Sequence, residues 1–221
     1  KSLTQWEVFR IDASAMHTYA KSGNGETRVA ELSLGLHNWR MELTSSNLFS
    51  SGYFIKVGTP AGIEMLAPTG VEAYKGYELN NGGKLRMTLD EDFINGYIYE
   101  GDKMYFIEPL WYYESSAPHD LFVVYEQAQV IRDGEATCML LEMENKLQDV
   151  QYDDGTGKKQ NDNAPEMMAC YQLDLAIASD HLMFIKYGST TAVINHNVAV
   201  INDVEGNYTG EFNHDIHFNI V

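Results

Sequence analysis

Residues 84–110 read Lys84-Leu85-Arg86-Met87-Thr88-Leu89-Asp90-Glu91-Asp92-Phe93-Ile94-Asn95-Gly96-Tyr97-Ile98-Tyr99-Glu100-Gly101-Asp102-Lys103-Met104-Tyr105-Phe106-Ile107-Glu108-Pro109-Leu110, and this stretch decides the fold class of the first half of the chain. Leu85, Met87 and Leu89 alternate with Lys84, Arg86 and Thr88, the two-residue period of a half-buried strand. Asn95-Gly96 then punctuates, Tyr97-Ile98-Tyr99 extends, Glu100-Gly101-Asp102-Lys103 turns, and Met104-Tyr105-Phe106-Ile107 returns. The pattern predicts a three-stranded antiparallel meander. Downstream, Leu121-Phe122-Val123-Val124-Tyr125 is continuously apolar, as a strand in a sheet interior would be. Similar short runs broken by Gly, Asn, Asp and Pro fill residues 1–145, so the expected architecture there is an antiparallel β-sandwich or barrel.

The character changes over 146–168. Asp153-Asp154-Gly155-Thr156-Gly157-Lys158-Lys159-Gln160-Asn161-Asp162-Asn163 offers almost no apolar area to offset the entropy of ordering, and is read as a flexible linker. Lys158 and Lys159, two basic residues in its middle, form a candidate processing site for a trypsin-like protease. From 169 to 221 the pattern turns α/β. An apolar strand from Leu173 to Ala178 carries one acid, Asp174, and Thr190 to Tyr208 brings Val193, Ile194, Val198, Val200, Ile201, Val204 and Tyr208 onto one helical stripe. Ser189 or Thr190 can cap the start of that helix, Gly206 and Gly210 weaken its end, and Ile216 to Val221 resumes as a strand. The class is therefore α+β: a β-rich domain (1–145), a linker (146–168) and an incomplete strand-helix-strand unit (169–221).

Composition narrows the function. With 15 Lys+Arg against 32 Asp+Glu the formal net charge is −17, which repels phosphate backbones and anionic lipid, so nucleic acid is not an expected partner. No apolar run has the length of a membrane span. The chain starts at Lys1 with neither a start methionine nor an apolar signal region, as a trimmed, secreted or cell-surface protein would. Its two cysteines, Cys138 and Cys170, are too few for a disulfide scaffold; one bridge and two free thiols both remain open.

Cys170-Tyr171-Gln172-Leu173-Asp174-Leu175-Ala176-Ile177-Ala178-Ser179-Asp180-His181, then Lys186-Tyr187-Gly188 and Ala199-Val200-Ile201-Asn202-Asp203-Val204 with Tyr208, resembles the first strand and first helix of reprolysin-like (metzincin, adamalysin-type) zinc metalloproteases. The likeness covers about 50 residues of an α/β pattern shared by many folds. The preceding region is similar to propeptide-like domains of secreted bacterial proteases. Tyr74-Lys75-Gly76, the Leu85 to Leu89 strand, Gly96-Tyr97-Ile98 and Tyr105-Phe106-Ile107-Glu108-Pro109-Leu110 carry that likeness in order. The resemblance implies zinc in the parent protein, protein substrates, and a propeptide-like region that supports folding or latency of its own downstream protease domain.

No HExxH occurs in the chain, so a metzincin zinc site is expected outside these residues, and the fragment itself is expected to be catalytically inert. Under the same resemblance Cys138 is an inhibitory zinc-ligand candidate, a thiolate filling the fourth zinc position; the plainer reading is a buried thiol or a bridge to Cys170. Asp174 matches an acidic position that binds calcium in some reprolysins, whereas strand alternation alone aims it at solvent or a neighbouring donor. Asp90-Glu91-Asp92 reads as a solvated turn, Trp111-Tyr112-Tyr113 as core aromatics or a sugar-stacking platform, and Asn207-Tyr208-Thr209 as a glycosylation acceptor. The competing function is a secreted β-sandwich binding module for glycans or a surface protein.

Overall fold

The computed structural model describes residues 2–131, 171–211 and 216–221. The first segment runs β1 (Ser2–Leu3), β2 (Glu7–Arg10), α1 (Ala13–Lys21), β3 (Arg28–Leu34), β4 (His37–Ser45), β5 (Ile55–Thr59), β6 (Gly62–Leu66), β7 (Glu72–Glu78), β8 (Gly83–Asp90), β9 (Phe93–Glu100), β10 (Lys103–Pro109), β11 (Leu121–Glu126) and β12 (Val130–Ile131). The later residues form β13 (Tyr171–Leu175), α2 (His181–Tyr187), α3 (Thr190–Glu211) and β14 (Ile216–Ile220).

Eight strands make one curled antiparallel sheet, a half-barrel of order β2-β11-β10-β9-β8-β7-β4-β3. The expected meander is its centre, with Met87 opposite Gly96 and Tyr105 opposite Ile98. The Leu121–Tyr125 run lies between β10 and β2, and Phe122 to Tyr125 are buried on both faces. The architecture is thus α+β with a single curled sheet in place of the expected two-layer sandwich or closed barrel. One core fills the face that α1 covers: Trp39, Met41, Leu43, Leu85, Met87, Leu89, Ile98, Ile107 and Phe122 pack together under the helix. Asp12 caps α1 by accepting the Ala15 N–H at 2.9 Å.

Asn95-Gly96 is not a turn. It sits inside β9, and the chain reverses at Glu91-Asp92. Gly96 is there because a Cβ would stand 2.1 Å from the Arg86 carbonyl oxygen, and at Gly76 a Cβ would stand 1.7 Å from that of Glu42. Such close approaches let neighbouring strands fold onto each other and curl the sheet.

The predicted strand-helix-strand unit is present. β13 and β14 pair in parallel, and the outer edge of β13 carries no partner among the described residues. The Ser189 hydroxyl accepts from the Ala192 N–H, as its capping role requires. A second helix, α2, went unforeseen; Asp180 caps its start and Gly188, at φ +82, ends it. α3 lies on β7, β8 and β9, and one core cluster joins Leu48, Val71 and Ala73 to Ile194, Val198, Phe218 and Ile220.

Gly96→Ala is expected to cost about 1–3 kcal/mol by overpacking against the Arg86 backbone. Gly58→Ala, where a Cβ meets nothing within 4 Å, should be neutral or slightly stabilising. Urea unfolding midpoints of the two variants check the contrast.

Candidate functional site

Strand alternation sends Arg86 and Thr88 to the face of β8 opposite the Leu85-Met87-Leu89 core, where sequence reading puts solvent. α3 covers that face instead, and Arg86 and Thr88 are 5% and 0% exposed. The helix meets them with a polar stripe. Asn195, Asn202 and Thr209 recur at seven-residue intervals with Glu205 between them, and all four are buried. Arg86 Nη1 donates to Ser46 Oγ (3.3 Å), Asn202 Oδ1 (3.4 Å) and Glu205 Oε1 (3.4 Å), while Nη2 donates to Thr209 Oγ1 (3.1 Å). The Asn202 amide donates in turn to the Met87 carbonyl (3.1 Å) and Thr88 Oγ1 (3.2 Å). Asn195 donates to Asp90 Oδ2 at 3.0 Å, so Asp90 is buried rather than part of a solvated turn. Gly206 permits the close contact: a Cβ there would lie 2.2 Å from the Tyr97 hydroxyl oxygen. Gly206 therefore serves helix docking and does not end the helix, which continues to Glu211.

A second set of groups closes the same seam nearer the start of α3. His196 lies between two tyrosines: its Nδ1 is 3.1 Å from Tyr112 Oη, and its Nε2 is 3.1 Å from Tyr187 Oη. Burial, with the Lys186 ammonium adding to it, lowers His196 to about 4, so the ring is neutral near pH 7. A neutral imidazole has one donor and one acceptor nitrogen, so one tyrosine donates to the ring and the other accepts from it. Trp111 packs edge-on against both tyrosines and is 7% exposed. The Trp111-Tyr112 pair is thus core rather than an open platform for sugar rings. Beside it lies a cavity of about 310 Å³ lined by Trp111, His119, Tyr187 and Asn195 among others. On the far side of α3, a largely apolar groove of about 900 Å³ runs between the β5–β6 hairpin and the two helices, flanked by the half-exposed Phe54 and Phe184.

Cys138, Lys158 and Lys159, with Cys170, lie outside the described residues. Asp174 is at the surface of β13, where its Oδ1 accepts from Asn219 (2.7 Å) and Gln172 (3.2 Å); these bonds, Asn219 first, hold its carboxyl below the usual range. Among the described residues, no three His, Cys, Asp or Glu side chains gather as a metal site, and no helix is long and apolar enough to cross a membrane. Thr209, the last residue of the glycosylation pattern, is buried on Arg86 within α3, an unsuitable conformation for a surface acceptor. What the sequence reading missed was the polar stripe. Its signal was there in Asn195, Asn202 and Thr209 at heptad spacing beside the apolar stripe.

The seam thus packs α3 against β8 and β9 around one desolvated cation. Arg86→Met alone should cost about 3–5 kcal/mol by stranding the buried Glu205 carboxylate, and the double change Arg86→Met with Glu205→Met should regain most of it. Urea unfolding of the four-member cycle reads the coupling, and additive losses would refute it. No protein-family model matches the chain, and no curated protein matches it at a significant level.

Proposed function

We propose that this chain is the propeptide-like region and first strand-helix-strand unit of a secreted, reprolysin-like zinc endopeptidase, in which the sheet domain holds the α/β unit and supports its folding or latency. The observation that carries this reading is the Arg86 network. The sheet domain buries a cation on its outer face and satisfies it with side chains of α3, the helix that the resemblance assigns to the protease. A sheet built to be completed by the helix of another unit suits a folding partner.

The open edge of β13 fits the same reading. A two-stranded parallel sheet gains further strands in an α/β domain. The zinc ligands belong, on this proposal, to residues that follow Val221, and calcium at Asp174 remains part of the proposal. Among the described residues no three His, Cys, Asp or Glu side chains gather as a donor set for zinc. Cleavage near Lys158-Lys159 would cut the covalent link between the two units and leave them held by the seam, the shared apolar core and the backbone bonds of Ile220 to Leu48 and Ser50.

A binding module for a surface protein draws its support from the groove of about 900 Å³ and from the exposed apolar side chains of the hairpin, Ile63, Met65 and Leu66. Burial of Trp111 removes the main argument for glycans.

The gene product taken through its natural stop codon should contain about one zinc per chain. Its casein cleavage should rise after limited trypsin treatment at Lys158-Lys159. Zinc analysis and a casein assay on the same preparation decide it: absence of both zinc and activity would leave the binding module.

A further inference from the structure

We propose that the seam between the sheet domain and the α2–α3 unit is an acid-sensitive latch whose pin is His196, closed while the imidazole is neutral and opened by its protonation. The inference takes its purpose, release of the α/β unit, from the proposed propeptide role; its test does not depend on that role.

The geometry is that of a pin through two plates. Tyr112 belongs to the sheet domain, in the turn after β10, while Tyr187 ends α2 and His196 stands on α3. Each ring nitrogen of His196 is engaged by one tyrosine, so the imidazole ties the two units together. Protonation makes both nitrogens donors, and the tyrosine that had donated to the ring loses its acceptor. It also places a cation beside the Lys186 ammonium, which sits 4.9 Å from the centre of the Tyr187 ring.

The charged groups around the pin do not offset this. From β10, Glu108 favours the imidazolium, but it ranks behind burial and Lys186, and the Tyr113 hydroxyl already donates to it. From α3 itself, Asp203 acts on Tyr112, and Asp92 and His119 pair with each other at the neighbouring cavity. That cavity, which Tyr187 lines, brings solvent to the edge of the seam.

The sign follows from linkage. An open, hydrated His196 titrates near 6.5 and the closed one near 4, so closure is fully supported above pH 6.5 and loses support as the pH falls toward 4. Between pH 7 and pH 5 the closed-to-open ratio should fall about twentyfold.

Amide hydrogen exchange on the whole chain at pH 7 and pH 5, corrected for intrinsic rates, reads this directly. Protection in α2 and the first half of α3 should fall by about that factor while β8 and β9 keep theirs. His196→Gln retains a donor and an acceptor for the two tyrosines but cannot be protonated, so its seam should stay protected at pH 5. Should that variant fail to fold, Lys186→Met at the exposed neighbour serves instead: easing protonation in the closed state narrows the gap to the open one, so its acid loss should be smaller than in the wild type. Equal protection of the wild-type seam at both pH values would overturn the latch. So would a pH 5 loss in His196→Gln, or in Lys186→Met where that variant stands in, as large as in the wild type.

Discussion

The docking of α3 on the sheet depends on one guanidinium. Arg86 projects from the centre of an eight-stranded sheet into a space closed by a helix, and a cation there is tolerable only if its donors are met. Ser46, Asn202, Glu205 and Thr209 meet them, and three of these four come from α3. The position of the helix is fixed by the need to satisfy this charge. An apolar contact would tolerate a slide of one residue along the helix, whereas a one-residue slide here would leave Arg86 and Glu205 buried without each other.

Around this fixed point the remaining contacts become specific. The apolar stripe of α3 fills the space against β14 and the start of β7, and the polar stripe faces β8 and β9. α3 thus has two buried faces at once, which is why Val200 and Tyr208, placed on its stripe by periodicity, are among the exposed side chains. The sheet domain and the strand-helix-strand unit consequently share a core while differing in architecture, one antiparallel and curled, the other parallel and open-edged. A propeptide-like role would use this kind of joint: specific in register, broad in area, and dependent on polar groups that water can compete for once the seam starts to part.

Much of the fold was legible because it rests on local period and punctuation. Leu85, Met87 and Leu89 announced a strand with an apolar face, and Ser189 announced the start of α3. Asn95-Gly96 misled because glycine serves two needs, turning and close approach, and only the neighbouring strand tells which applies. Arg86 misled for a related reason: an arginine alternating with leucines reads as solvent-facing unless the helix that covers it is known, and that helix begins more than a hundred residues later. The seam was therefore closed to sequence reasoning even though each of its residues was in plain view. The sites suggested by family likeness, Cys138 and Lys158-Lys159, fall in residues outside the described ones, and Asp174 is exposed and bonded to Asn219 and Gln172 rather than to the seam's polar groups.

The long reach of the Arg86 contacts also sets an order of assembly. Its partners on α3 lie 116, 119 and 123 residues further along the chain. All eight strands of the main sheet, by contrast, are contained between Glu7 and Glu126. A ribosome makes the chain from its N-terminus, so every strand of the half-barrel is synthesised before α3 exists. For that interval Arg86 stands on an uncovered surface in water, where a charged side chain costs nothing and discourages the flat apolar contacts that lead to aggregation. The same residue that is expensive in the finished interior is thus useful in the unfinished one, and the nascent helix emerges onto a template whose register is already set.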